Sequence, residues 1–308
     1  MWTRGRFVEE YIPGLFVVAV DSFVNKRAES QWQNLVTIKE SKKKKEEDVI
    51  RSGLGLPSLK GEGAPVGYDV QIAGSKQAWV HDVWALAIRI TEEAIEDNLY
   101  ELNGGGNAEE LSEMFHDLGE AMAENVETLM ARFFNYGTAT TYHTTRFGKA
   151  LFATDHPRLD GTSFSNLSTA TDLTYETFWA VVVAAENQFN YRQHRITKNV
   201  KKLWYPPALE PKVLEILKSP TRPDTANRAI NAYAESGRGI VPVKWPHISN
   251  ANNWFLQLDG RGIVFWWRRK TRFARERDFQ TGDLMCKADQ RFSAEIADER
   301  DFYGVIPS

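Results

Sequence analysis

Cysteine, long apolar runs and an excess of one charge are all scarce in this sequence. Its single cysteine, Cys286, cannot form an intrachain disulfide or a cysteine-ligated zinc site. No stretch reaches the roughly 18 consecutive apolar residues of a membrane helix, so we expect no membrane partner. The 38 basic and 41 acidic residues give a net charge of −3, whereas proteins that mainly grip nucleic acid are usually basic. The composition therefore disfavours these three classes of protein.

Motifs of known catalytic chemistry are also missing. None of the six histidines forms H-E-x-x-H, no G-x-S-x-G occurs, and the glycine-rich segments lack the pattern of a phosphate-binding loop. The sequence Asp155-His156-Pro157 is more typical of a turn, and Cys286 of a buried apolar position. We therefore predict no catalytic residue, no metal, no cofactor and no enzymatic activity. A soluble α+β enzyme with distant catalytic residues and a glycine-rich lid at 52–67 remains an alternative.

Helical and strand patterns alternate along the 308 residues, a length that suggests two domains. Apolar residues recur at three- and four-residue steps from 108 to 136 and predict a long amphipathic helix, which Gly137 is placed to end. Shorter helices are predicted at 174–191 and 208–218, and strands at 201–205, 239–245, 254–258 and 263–267. This mixture, with mainly antiparallel strands, predicts an α+β fold.

The first 84 residues contain two segments without an evident core of their own. Apolar residues at helical spacing between 15 and 23 predict an arm that packs on something else. Residues 37–84 predict a long two-stranded excursion, with a charged run at 41–48 that we expect at a solvated loop tip. The glycine-rich stretch 52–67 predicts an extended loop, and the alternation of Tyr68, Val70 and Ile72 predicts the returning strand. Such an excursion needs a neighbour to dock on.

A basic and aromatic run lies between Arg261 and Arg277. Seven basic residues alternate with Phe265, Trp266, Trp267 and Phe273, and Glu276 is the only acid among them. Basic residues combined with aromatic ones can bind single-stranded nucleic acid. The alternative is a strand whose aromatic residues are core and whose arginines pair with acidic residues of a neighbour. The negative net charge favours this second interpretation.

Several short motifs occur in an order that resembles one known family. The motifs are Tyr68-Asp69, the stretch 87–97, the long helix at 108–136, the stretch 151–157, the stretch 165–168 and the stretch 203–210. In this order the sequence resembles the tailed-bacteriophage major capsid proteins of the HK97 fold, and within them the Mu-like major head subunit group. The resemblance runs from about residue 37 to the end of the chain.

The resemblance implies a division of the chain into named parts. Residues 1–36 would be an N-terminal arm, and residues 37–84 an E-loop that lies across an adjacent subunit. A peripheral domain would occupy 85–171, with its spine helix at 108–136. An axial domain would follow at 172–264, and residues 265–308 would return to the peripheral domain.

The resemblance also implies a function. Copies of the chain would assemble into hexamers and pentamers of an icosahedral shell that encloses double-stranded DNA without sequence specificity. The protein would be part of the virion capsid, assembled in the host cytoplasm with separate scaffold, portal and decoration proteins. The candidate assembly or lumen-facing residues are Arg261, Arg268, Arg269, Lys270 and Arg272. The alternative on the same fold is an encapsulin-like compartment that holds protein cargo.

Overall fold

The computed structural model describes residues 12–51, 53–63, 65–71, 73–94, 107–158, 161–169, 172–221 and 230–307. Residues 1–11 of the predicted arm and residues 95–97 of the motif at 87–97 lie outside the described residues. The helices are α1 (Ile12–Glu29), α2 (Trp32–Leu35), α3 (Asn107–Asn135), α4 (Tyr175–Glu186), α5 (Glu210–Lys218) and α6 (Ala232–Glu235). The strands are β1 (Val36–Glu40), β2 (Lys45–Arg51), β3 (Ala73–Val80), β4 (Asp82–Ile90), β5 (His156–Pro157), β6 (Ser163–Phe164), β7 (Leu167–Thr169), β8 (Val200–Tyr205), β9 (Val241–Lys244), β10 (Trp254–Leu258), β11 (Ile263–Arg277), β12 (Leu284–Ile296) and β13 (Phe302–Ile306).

Two sheets form the framework. One has four strands in the order β1-β11-β12-β4, and the other has five in the order β7-β13-β10-β8-β9. Both mix antiparallel and parallel pairs, since β1 runs parallel to β11, β7 to β13 and β9 to β8. Among the described residues, strands β2 and β3 pair with each other alone, as an antiparallel hairpin that follows β1 and precedes β4 in the chain. The mixture agrees with the predicted α+β class.

The five-stranded sheet is buried on both faces because its residues alternate between two cores. Trp204 and Phe255 point into the core that contains α3, while their neighbours Leu203 and Trp254 point into the core that contains α4 and α5. On the first side Phe134 of α3 stacks on Phe255, with ring centroids 4.3 Å apart. The same ring also contacts Phe152, Trp204, Trp245 and Phe302. Phe134 thus fixes α3 to this sheet.

The long helix matches its predicted range of 108–136 within one residue at each end. Gly137 follows the end of the helix as predicted, but it does not have the positive φ of a glycine C-cap. A Cβ at Gly137 would instead overlap the ring of Phe152. This glycine therefore permits close packing at the end of α3.

The arm helix α1 lies on α3 of its own chain. Leu15 shares a cluster with Phe115, Phe23 shares one with Leu118, and the backbone N–H of Gln31 donates to Glu127. The order of these contacts shows that α1 and α3 run parallel. The two backbones approach so closely at Gly119 that a Cβ there would collide with the carbonyl oxygen of Ala19. The side of α1 that carries Leu15, Ala19 and Phe23 is therefore covered within the chain, whereas Val17 and Val24 on the helix remain exposed.

One local expectation for the hairpin was right in part, and another was wrong. Lys42, Lys43 and Lys44 of the charged run at 41–48 are exposed in the turn between β1 and β2, as expected of a solvated loop. The run lies at the base of the hairpin and not at its tip, and its Ser41 and Glu46 are buried and hydrogen-bonded to each other at 2.6 Å. Tyr68 and Val70 belong to no strand, because β3 begins at Ala73. Alternation alone predicted a strand there, but these two side chains have no sheet face to pack on.

We predict that Gly119→Ala lowers the stability of the unassembled protein, because the added methyl group must push α1 away from α3. The expected loss is on the order of 1–3 kcal/mol, measured by urea denaturation with tryptophan fluorescence. The control is Gly14→Ala, which adds the same group to α1 where no atom lies within 4 Å. Equal denaturation midpoints for the two variants would contradict this account of the α1–α3 contact.

Candidate functional site

The basic and aromatic run forms strand β11. Phe265 and Trp267 are buried in the core beneath the sheet, and Phe273 packs edge-on against Phe16 and Phe23 of α1. Because these rings are core residues, they are not available to stack on bases. For Phe265, Trp267 and Phe273 the structure therefore agrees with the interpretation in which the aromatic residues of this strand are core residues.

Four of the five candidate basic residues form ion pairs within the chain. Arg272 binds Asp289 with two nitrogens, its Nε lying 2.8 Å from Oδ1 and its Nη2 3.0 Å from Oδ2. Arg269 reaches the same carboxylate at 2.9 Å. Lys270 pairs with Glu40 at 2.7 Å, and Arg261 pairs with Asp48 at 3.0 Å. The hydrogen bond from Arg272 holds the pKa of Asp289 below its usual range.

Arg268 differs from the other four. Within the described part of the chain, no carboxylate lies at ion-pair distance from it. It lines an open cleft of about 550 Å³ together with Lys42 and Lys270, and Glu40 is the one acid among the described residues that line this cleft. Arg268 is therefore the candidate residue whose charge is least neutralised by its own chain.

The basic run identified in the sequence does not include all the basic residues of this sheet face, because strand β12 supplies Lys287 and Arg291. Directly opposed residues of antiparallel strands point to the same face, and the register places Arg291 opposite Arg269, and Lys287 opposite Ala87 and Ala274. These side chains share the outer face of the four-stranded sheet, away from α1 and α3. The signal was present in the sequence as the alternation of Lys287, Asp289 and Arg291, but only the strand register joins it to β11.

The base of the β2–β3 hairpin is fixed to the rest of the chain. Trp79 is buried against Trp266, and Gln77 donates to the carbonyl of Thr144 at 3.1 Å. His81 lies between Ser293 and Ser41, and burial lowers its pKa. The hairpin is therefore oriented at its base by contacts with the sheet and with the loop that follows α3.

The glycine-rich loop between β2 and β3 exposes large apolar side chains. These are Leu54, Leu56, Leu59, Val66, Tyr68 and Val70. Each is at least 62% exposed, and Leu59 and Tyr68 are exposed almost completely. Single exposed apolar residues are common, but six in one loop are more than a chain usually leaves in water without a partner. This loop is the main candidate for an assembly surface.

The groups that might have suggested catalysis are packed into the core. His156 is buried beside the Leu151 carbonyl oxygen at 3.2 Å and Asn166 Oδ1 at 3.0 Å, and burial lowers its pKa. His143 stacks on Phe133, and burial lowers its pKa to about 4. Burial raises the pKa of Cys286 to about 11, so its reactive thiolate is scarce at neutral pH. Each of these groups has a packing role.

Two groups of acidic residues also have structural explanations. Glu127 lies beneath an acidic cleft of about 580 Å³ and binds the Trp32 N–H at 3.3 Å and the Trp245 ring N–H at 2.5 Å. Lys198 pairs with Asp301 and Asp298, which are held by the turn before β13. Burial and the charge of Asp298 raise the pKa of Asp301 to about 6.

The described ranges contain no group of three or more histidine, cysteine, aspartate or glutamate side chains arranged to hold a metal ion. No helix formed by them is both long enough and apolar enough to cross a membrane.

Comparison with solved structures places the fold among viral shells. The chain is similar to the capsid protein of the cyanophage P-SCSP1u, with a TM-score of 0.56 and 12% identity over 91% of this chain and 88% of that one. It is similar to the capsid of the Myoviridae phage XM1, with a TM-score of 0.56 and 9% identity over 90% of each chain. A virus-like particle from Pyrococcus furiosus also matches, with a TM-score of 0.52 and 11% identity over 96% of this chain and 100% of that one. The fold is that of HK97-like capsid subunits.

A family model described as phage capsid protein matches residues 77–305. The chain therefore belongs to this family of phage capsid proteins. No curated protein matches the sequence. Membership in the family, together with the fold, identifies the chain as a major capsid protein, a structural subunit of the virion that associates with copies of itself.

Proposed function

We propose that copies of this chain form hexamers and pentamers that close into an icosahedral shell around double-stranded DNA. The observation that carries the proposal is the glycine-rich loop, whose six large apolar side chains are exposed on the single chain. Burial of apolar surface is worth about 25 cal/mol per Å² before the costs of association. A neighbouring copy that covers the loop would therefore gain a favourable contact at every repeat of the shell.

The family supplies roles for the parts of the fold. We assign residues 1–36 as the N-terminal arm, 37–84 as the E-loop, 85–171 as the peripheral domain and 172–264 as the axial domain. Residues 265–308 return to the peripheral domain. In this assignment α3 is the spine helix, and the E-loop lies across an adjacent subunit. The core that contains α4 and α5 supports a separate axial part, since its buried members other than Tyr303 and Val305 fall within 172–264.

The finer assignments rest on the sequence motifs. We propose that the protein is closest to the Mu-like major head subunit group and that it assembles in the host cytoplasm with separate scaffold, portal and decoration proteins. We also propose a purely structural role without catalysis. Supporting this, His156, His143 and Cys286 all serve as packing residues.

We further propose that Arg261, Arg268, Arg269, Lys270 and Arg272 act in assembly or face the lumen, where they would meet DNA phosphates. Their surroundings support this role, since Lys287 and Arg291 add to the charge of the same sheet face. Asp289 neutralises only part of that charge, because Arg269 and Arg272 share its one carboxylate.

Expression of the chain alone tests the proposed assembly. We expect closed shells, tubes or rings of subunits by negative-stain electron microscopy, and a matching large species by size-exclusion chromatography. The triple variant Leu56→Ser, Leu59→Ser, Tyr68→Ser should fold normally, because these side chains are exposed, yet should assemble poorly. A small oligomer that persists when a scaffold candidate is co-expressed would contradict the proposal. Purified particles filled with protein cargo instead of DNA would favour the encapsulin-like alternative.

The basic face is tested by Arg268→Glu with Arg269→Glu. We expect lower particle yield or DNA content, measured by microscopy and by the ratio of nucleic acid to protein absorbance, because the change reverses two charges on the face. Arg277→Glu, at the exposed end of the same strand, is the control. Arg268→Glu alone separates the charge effect from a folding defect, since no ion pair of the described residues is broken. Normal yield and DNA content in the double variant would refute a role for this face.

A further inference from the structure

The glycine-rich loop is tied to its own chain at one distant point. Asp69 Oδ2 accepts from Arg192 Nη1 at 2.6 Å, and the carbonyl of Val70 accepts from Arg192 Nη2 at 2.6 Å. The backbone N–H of Gly55, on the other side of the loop, donates to the same Asp69 oxygen at 2.6 Å. One guanidinium and one carboxylate thus hold both sides of the loop together and fix them to a residue 123 positions away.

Arg192 is presented by a preformed turn after α4. Asn190 Oδ1 accepts from the backbone N–H groups of Arg192 at 2.9 Å and His194 at 2.8 Å. Gln193 follows with a φ of 62°, and among the residues that the structure describes it alone combines a positive φ with a side chain. With the loop in contact the Arg192 side chain is 17% exposed, and the two Asn190 hydrogen bonds fix the backbone that carries it. The turn therefore acts as a fixed receptor for Asp69.

The loop side of the contact is built to accept this arginine. A Cβ at Gly55 would lie 3.1 Å from Asp69 Oδ2 and 3.2 Å from Arg192 Nη1, so the absence of a side chain allows the close approach. The Gly55 N–H and the Arg192 side chain together hold the pKa of Asp69 below its usual range, so the carboxylate is ionised at neutral pH. We call Asp69, Arg192 and Gly55 the loop clamp.

The loop clamp consists of polar contacts, whereas the exposed surface of the loop is apolar. The described contacts of the clamp leave the side chains of Leu56, Leu59 and Tyr68 exposed to water. Asp69 is nearly half exposed, and an ion pair whose carboxylate is open to water is a weak contact that a competing apolar surface can displace. A contact that costs little free energy to break thus holds the loop in one place. The apolar side chains of the loop have not yet made the more favourable contact that a second apolar surface would provide.

We propose that the loop clamp is a releasable latch that keeps the loop on its own subunit until a second copy of the chain offers an apolar surface. This inference rests on the proposed assembly function. In the shell, a loop that lies on the neighbour gives up Arg192, so the latch opposes premature association and sets the rate of assembly. Weakening the latch therefore makes assembly faster and frees the loop in the unassembled chain.

Trypsin cleavage after the exposed Lys60 reports on the loop before assembly, and light scattering reports on assembly itself. In Asp69→Asn we expect cleavage about fivefold faster, the scale of one exposed ion pair, and assembly that starts earlier and at lower concentration. Arg192→Gln, which removes the other charge of the pair, should raise both rates by a similar factor, and the double variant Asp69→Asn with Arg192→Gln should be no faster than either single variant. The matched control is Glu47→Gln, which breaks the pairs with Lys45 and Lys76 inside the hairpin but leaves the clamp intact.

The outcomes separate the latch from the proposed function. Shells from the unmodified protein, combined with unchanged assembly of Asp69→Asn, would overturn the latch alone. Additive effects of the two substitutions in the double variant would overturn the pairing of these two residues. Protection of Lys60 that appears only at high protein concentration would place the contact between copies and also overturn the latch. If the unmodified protein forms no shells with any scaffold candidate, the proposed function fails, whatever the cleavage rates show.

Discussion

The structure depends on one constraint, which is that the β2–β3 hairpin carries apolar surface and has no core of its own. Two strands alone are marginally stable in water, so the hairpin needs support from other elements. Trp79 and His81 provide that support at the base, where both are buried against the four-stranded sheet. Beyond the base, Leu59 and Tyr68 remain exposed. The cores are therefore buried within the single chain, whereas the apolar side chains of the loop are not, as expected for a subunit that packs against its neighbours in a shell.

The rest of the fold can be understood as a rigid support for this loop. Helix α3 packs on both sheets, through Phe134 on the five-stranded sheet and through a cluster with Phe265 and Phe292 on the four-stranded sheet. The hairpin leaves from the four-stranded sheet and is clamped by Arg192, which follows α4 on the five-stranded side. Contacts at the two ends of the hairpin thus depend on two sheets that the same helix holds together. Their relative position fixes where the loop can reach.

The sequence predicted the elements with strong periodicity and failed where tertiary contacts decide. The apolar steps of α3 placed it within one residue at each end, because about eight consecutive helical turns repeat one signal. Alternation at Tyr68 and Val70 wrongly suggested a strand, since period two without a pairing partner does not make a sheet. The joining of Arg269 with Lys287 and Arg291 depends on strand register, and the meeting of Asp69 with Arg192 on tertiary folding. Neither leaves a local pattern in the sequence.

The most direct test compares the backbone amide hydrogen exchange rates of residues 53–71 in the unassembled protein with those in purified shells. Most backbone amides of this loop lie outside helices and strands, so their exchange is expected to be fast in the free chain. The account predicts that exchange slows on assembly in this segment, because a neighbouring copy buries it. Equal exchange rates in shells and in free protein would show that the loop stays exposed, and would contradict the claim that this surface drives assembly.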